Sequence, residues 1–138
     1  MYEIIPSLFL ANYRDASQST PPGAFVVNCT KDLPMISTYG VRIAVNDDLS
    51  TQSTHVMTAA FPGVIDSIDQ VRKAGGKVVV HCAAGQQRSA AVVAAYLMSK
   101  GISLQEAISY IKSKKQDAFL TGVNFLPSLE SFGTRRYR

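Results

Sequence analysis

Cys82 is preceded by His81 and followed six positions later by Arg88 and then Ser89, within the stretch KVVVHCAAGQQRSAAVVAAYLM of residues 77–98. Between the cysteine and the arginine lie only Ala83, Ala84, Gly85, Gln86 and Gln87. Small residues, with Gly85 free to take unusual φ, let a loop curl until successive backbone N–H groups point inward. A thiol at the bottom of that ring and a guanidinium on its rim would hold an anion. A free cysteine has a pKa of about 8.5, so little of it is thiolate at pH 7. Helix N-termini and neighbouring cations bring thiols into the ~3.5–7.5 range. A drop of ~3 units needs roughly 4 kcal/mol, which several amides and Arg88 together can supply. The same donors fit a phosphate dianion, with Arg88 taking two oxygens side by side and the amides the others. In-line attack by Cys82 on phosphorus would then give a phosphocysteine.

Such a loop needs a strand before it and a helix after it. Residues 77–81 form a β-branched run that predicts a buried strand, and residues 88–100 predict a helix closed by Gly101. In open α/β sheets this carboxyl edge is where ligands bind, and a helix N-terminus there is a ready anion site. Upstream, SLFLAN (residues 7–12), AFVVNCT (residues 24–30) and VRIAV (residues 41–45) read as short strands, the first two separated by the turn-rich SQSTPPG. Apolar residues at 61, 64, 65, 68 and 71 predict a helix over residues 61–73, stopped by Gly75 and Gly76. Ser103 and Glu106 form a capping box for a further helix whose inner face carries Leu104, Ala107, Ile108 and Ile111. Strands alternating with helices predict an α/β fold, a central mostly parallel sheet flanked by helices.

The chain of 138 residues is the size of one domain, and 46% apolar residues suffice for one core. The longest unbroken apolar run, residues 90–98, is far short of the ~20 needed to cross a bilayer. MYEIIPSLFLANYRD carries no basic leader and reads as mature protein. Cys29 and Cys82 are the two cysteines, with no CxxC or clustered His/Cys spacing, so neither a disulfide framework nor a metal site is expected. A reducing, cytoplasmic setting follows as the expectation. The net charge of +4 owes part to KSKK (residues 112–115) and to a basic C-terminal tail, residues 133–138, following a core of residues 3–132. A solvated helix face and a frayed tail account for those charges more simply than an anionic partner does.

VHCAAGQQRS resembles the His-Cys-x5-Arg-Ser signature of the cysteine-dependent phosphatases, and the wider context resembles the dual-specificity protein phosphatases. EIIPSLFLAN is similar to the opening strand of that family, VVNCT to its second, and FPGVIDSIDQVRKAGGKVVVHC to the helix leading into the signature. AAYLMSKGISLQEAISYIKSKK is similar to the two helices that follow. The likeness extends over roughly residues 3–132, the whole single domain.

The resemblance implies roles. Cys82 is the nucleophile, where an isolated strand cysteine would ordinarily be inert packing. Arg88 and the loop residues Ala83, Ala84, Gly85, Gln86 and Gln87 bind phosphate. Ser89 stabilises the leaving thiolate, and His81 orients the loop and tunes the thiol. A general acid must protonate the leaving oxygen, because an alkoxide leaves poorly. The family supplies it as an aspartate after the third strand, which here means Asp47 or Asp48 in VRIAVNDDLST; strand alignment favours Asp47, and a plain Asn-Asp-Asp turn is the bland alternative. The 35 positions from Asp47 to Cys82 exceed the family's usual spacing, so LSTQSTHVMT (residues 49–58) is expected as an inserted loop able to reposition the acid or touch substrate. His55 in that loop reads as surface. Cys29, ending a neighbouring strand, reads as core, with a reversible disulfide to Cys82 under oxidation as the sharper alternative.

The resemblance further implies phosphotyrosine and phosphoserine or phosphothreonine proteins as substrates, without metal or organic cofactor and without membrane association. The five neutral loop residues lack the lysines that phosphoinositide-cleaving relatives carry there. RNA 5′-phosphate hydrolysis is the competing enzymatic reading, weakly supported by the basic tail. A non-catalytic phosphoprotein-binding module is the third, at odds with the presence of both Cys82 and Arg88.

Overall fold

The structure, a computed structural model, describes residues 1–136, with side chains as far as Thr134. Five strands, β1 (Tyr2–Ile5), β2 (Leu8–Ala11), β3 (Phe25–Asn28), β4 (Gly40–Arg42) and β5 (Val78–His81), form one sheet in the order β1-β2-β5-β3-β4. β5 pairs in parallel with β2 and β3, β3 pairs in parallel with β4, and only β1 runs antiparallel to its neighbour. The mostly parallel α/β sheet expected from sequence is therefore present, with a mixed edge. EIIPSLFLAN is a hairpin rather than one strand, because Ser7 takes φ +71° and turns the chain back.

Val78, Val79 and Val80 are all fully buried, as a central strand covered on both faces requires. Side chains alternate between the faces. Val78, Val80 and Cys82 join Leu8, Leu10, Phe25, Val27 and Cys29 in the main core. Val79 joins Ala11, Ala16 and Ala24 in a smaller cluster under α1 (Tyr13–Ser19). The main core lies beneath α2 (Thr51–Lys73), α3 (Arg88–Ser99), α4 (Leu104–Lys114) and α5 (Leu126–Arg136). Ser103 caps α4 as expected, accepting from the Glu106 N–H at 3.2 Å, and Gly101 ends the preceding turn at φ +96°.

Three elements differ from the sequence expectation. α1 occupies part of what read as turn, because Asn12 caps it by accepting from the Asp15 N–H at 2.7 Å. α2 starts ten residues before Phe61, so residues 51–58 are helix and not an inserted loop. Ser50 caps it by accepting from the Ser53 N–H at 3.1 Å, and its polar first turns find polar partners on α5. Thr58 donates to Ser128 Oγ at 2.9 Å, while Ser128 donates to the Thr54 carbonyl at 3.0 Å. His55 lies exposed on that helix. α5 has a short apolar stripe, Leu126, Leu129 and Phe132, interleaved with Pro127 and Gly133, and it keeps the chain helical past residue 132. Of the basic tail, Tyr137, Arg138 and the side chains of Arg135 and Arg136 lie outside the described residues. Among the described residues no helix is long and apolar enough to cross a membrane.

The sheet end opposite Cys82 is closed by a polar knot. Tyr96 is wholly buried, yet its hydroxyl donates to Asp69 Oδ1 at 2.9 Å and accepts from Arg72 Nη1 at 2.9 Å. Arg72 also reaches the Pro6 carbonyl at 2.7 Å, and Lys73 and Lys100 pair with Asp69 at 2.8 and 2.5 Å. Lys100, Lys73 and Tyr96 together hold the Asp69 carboxyl well below the usual carboxylate range. Its contribution to stability is thus fully present above the unfolded value of about 4 and is lost as pH falls toward the lower folded value. Tyr96→Phe should cost about 1–2 kcal/mol in denaturant melts at neutral pH, and less at low pH. An unchanged midpoint would mean that the Tyr96 hydroxyl carries no stability in the knot.

Candidate active site

Cys82 follows β5 at the carboxyl edge of the parallel strands, and its side chain faces the main core side beneath α3. The next five residues bend, and α3 begins at Arg88. The carbonyl of Ala83 turns outward to the Tyr13 N–H at 3.0 Å, and that of Gln86 to the Phe119 N–H at 2.9 Å. The Gly85 N–H points the other way, donating to Cys82 Sγ at 3.2 Å. Ser89 Oγ lies 3.1 Å from the same sulfur. Cys82, Gly85, Gln87 and Ser89 are buried, while Ala83 and Ala84 are exposed at the mouth.

α3 differs from its neighbours at this end. Asn12, Ser50 and Ser103 cap α1, α2 and α4 with side-chain oxygens, but Gln87 makes no such bond to α3. Nor is there an acidic residue in the first turn of α3. The positive end of its macrodipole is therefore left for another anion. Arg88 donates from Nη1 to the Val45 carbonyl at 3.1 Å, while its Nε is buried with no protein partner. A buried guanidinium donor held in this way is suited to an oxyanion at the ring's mouth.

His81 alternates to the opposite face, where its ring tilts at 50° against Tyr13 with centroids 5.8 Å apart. Desolvation pushes its pKa down, so the neutral imidazole is favoured, with Nδ1 3.4 Å from the Cys82 carbonyl. It touches the loop's backbone rather than the sulfur. Cys29 lies on the adjoining strand end, its N–H donating to the His81 carbonyl at 2.8 Å. Both cysteines are free thiols. Burial pushes the Cys29 thiol well up and the neighbouring Cys82 adds to it, against an opposing pull from Arg88. That is the behaviour of a packed core thiol.

The two candidate acids are set apart by their partners. Asp48 accepts from the Ser50 hydroxyl at 2.6 Å and the Ser50 N–H at 3.0 Å. The Ser50 and Ser53 hydroxyls, with the Ser50 N–H, hold its carboxyl below the usual range, and it serves the start of α2. Asp47, exposed, accepts through Oδ1 from Asn124 Nδ2 at 3.0 Å. Asn124 was not marked by any sequence pattern, since a single asparagine in TGVNF has no diagnostic spacing. Nor were Val45 as the acceptor for Arg88, or Asp117, which accepts from Gln86 Nε2 at 3.2 Å and pairs with buried Lys115.

Gly85 is the residue the loop cannot replace. It has φ +71°, and a Cβ there would sit 2.8 Å from the carbonyl carbon and oxygen of Ala11. Gly85→Ala should lower stability by about 1–3 kcal/mol in denaturant melts. A melt superimposable on wild type would contradict the loop conformation.

Residues 8–135 match the family described as "Dual specificity phosphatase, catalytic domain". The chain is 31% identical over 136 residues to human "Dual specificity protein phosphatase 7", covering 94% of this chain and 32% of that protein. It is 32% identical over 132 residues to "Putative tyrosine phosphatase 123R" of Invertebrate iridescent virus 6, covering 94% and 89% respectively. The crystal structure of human DUSP28 superposes with a TM-score of 0.85 at 28% identity, covering 98% of this chain and 96% of that one. That of the human tyrosine phosphatase-like serine/threonine/tyrosine-interacting protein superposes at 0.82 and 25% identity, covering 100% and 98%. The chain spans about a third of the length of the first curated relatives it matches. A loop that bends five residues around one sulfur, in this sheet and with these relatives, settles the lineage: the chain belongs to the family of dual specificity phosphatase catalytic domains.

Proposed function

We propose that the chain hydrolyses phosphotyrosine and phosphoserine or phosphothreonine monoesters in proteins through a phosphocysteine on Cys82. The observation that carries this reading is the pair of contacts on one sulfur, Gly85 N–H at 3.2 Å and Ser89 Oγ at 3.1 Å, at the uncapped N-terminus of α3. Those contacts seat the sulfur at the foot of the loop, facing the place where a phosphoryl group would bind. The N–H groups of residues 83–88 and the guanidinium of Arg88 bind the phosphoryl oxygens. Cys82 Sγ attacks phosphorus, the bond to the substrate oxygen breaks, and Asp47 gives that oxygen its proton. Water then attacks the phosphocysteine while Asp47 takes back a proton, and the S–P bond breaks to release inorganic phosphate. Ser89 donates to the departing sulfur, and His81 supports the loop from behind through the Cys82 carbonyl.

Asp47 is favoured over Asp48 as the acid because Asp48 is committed to Ser50 and held in its ionised form. The residues around the mouth also favour a protein monoester over RNA. Asp47, Asp48 and Asp117 are acidic, and the loop itself offers no lysine, so a polyanion gains little there. The presence of both Cys82 and Arg88 supports turnover over mere binding.

Cys82→Ser should abolish turnover of an aryl phosphate. Asp47→Ala should slow phosphoserine-peptide hydrolysis by about 10²–10⁴-fold while slowing the first-step burst of nitrophenolate from nitrophenyl phosphate far less. Equal and small effects on the two substrates would remove Asp47 from the mechanism. Faster release of phosphate from triphosphorylated RNA than from phosphopeptides would replace the protein substrate with RNA.

A further inference from the structure

We propose that Asn124 is a positioning residue for the acid, fixing Asp47 Oδ1 so that Oδ2 carries the transferred proton; this rests on the phosphatase reading above. Asn124 lies between α4 and α5, remote in sequence from both the Asp47 turn and the cysteine loop, yet it is bonded to each. Its Nδ2 donates to Asp47 Oδ1 at 3.0 Å, and its backbone N–H donates to Gln87 Oε1 at 3.0 Å. Gln87 returns a bond from Nε2 to the Gly122 carbonyl at 2.7 Å and is 4% exposed. The side chain of Gln87, a residue of the anion loop, is thus turned to clamping residues 122–124. On the other side, Arg88 takes the Val45 carbonyl, two residues before Asp47. Asp47 is therefore tied to the anion loop from two directions, once through backbone and once through the Asn124 amide.

The chemistry follows from the donor inventory. An amide NH₂ only donates, so the carboxyl oxygen facing it must accept, a role that the carbonyl oxygen of a neutral acid fills better than its hydroxyl oxygen. The proton of the neutral acid is left on Oδ2. When the ester bond breaks, that proton passes from Oδ2 to the leaving oxygen and the carboxylate keeps its bond to Asn124. In the second step Oδ2 accepts a proton from the attacking water and Asp47 is neutral again. One amide, donating throughout, serves both half-reactions without reorienting. An exposed aspartate on a loop would otherwise sample several rotamers, and misplacement by about 1 Å can cost on the order of 10² in rate.

The test compares wild type, Asn124→Ala, Asp47→Ala and the double variant on a phosphoserine peptide and on nitrophenyl phosphate. Asn124→Ala should lower kcat on the peptide by about 10- to 100-fold. It should leave the first-step burst of nitrophenolate from nitrophenyl phosphate and inhibition by inorganic phosphate near wild type. In the Asp47→Ala background it should have no further effect, because the group it positions is gone. Asn124→Asp, of nearly the same volume but presenting an acceptor to an acceptor, should lose as much, and it replaces the alanine variant if that one does not fold. Additive losses in the double variant, equal losses on both substrates, or weakened phosphate inhibition would overturn the positioning role while leaving the phosphatase reading intact. An Asp47→Ala enzyme as fast as wild type would overturn the acid assignment and the Asn124 role together.

Discussion

The N–H of Gly85 donating to the sulfur of Cys82 is the contact on which the rest of this structure turns. It exists only if the backbone reverses between β5 and α3 within five residues, and that reversal needs φ +71° at position 85 with the Ala11 backbone close behind it. Once the reversal is made, the start of α3 is aimed at the sulfur, and a side-chain cap on α3 would compete with whatever anion the loop holds. The three capped helices show that this chain supplies Asn or Ser at a helix start where one is wanted. At α3 it supplies glutamine and turns that side chain elsewhere. Stabilisation of a bound anion and incomplete satisfaction of the loop are the same feature seen with and without the anion.

The sheet fixes the strand from which this reversal starts. β5 is the middle strand, paired on both edges, and its alternating side chains divide the chemistry between two faces. Cys82 falls on the face under α3, where Ser89 reaches it, while His81 falls on the face of α1 against Tyr13. A shift of one residue in the register of β5 would exchange these two side chains. The polar knot around Tyr96 and Asp69 anchors the other end of α2 and α3, so α3 is fixed far from the site and left uncapped next to it.

What could be read in the sequence was what is local. The valine run, Gly85, Arg88, Ser89 and the Ser103–Glu106 cap each act within a few residues of themselves, and their types and spacing were enough to place the loop between a strand and a helix. What escaped depends on tertiary partners. The first turns of α2 are rich in serine and threonine and read as loop; they are helical because Ser50 caps them and because α5 offers Ser128 to Thr58. α5 in turn is held by Leu129 and Phe132 in the core and partly by those same bonds. Strand alignment already leaned to Asp47 over Asp48, but the partners that set the two apart lay beyond one sequence for the same reason. Asp48 is occupied by a residue two places on, but Asp47 is held from 77 positions away, by Asn124.

The proposed reaction transfers phosphorus to Cys82 and nowhere else. Asp47→Ala enzyme mixed with nitrophenyl phosphate and quenched rapidly in acid tests it directly, since the first step can proceed with so good a leaving group while the second lacks its base. Intact-mass measurement followed by peptide mapping should find one phosphoryl group, on the sulfur at position 82. Continued turnover with no phosphoryl on the enzyme, or with the group on any other side chain, would contradict it.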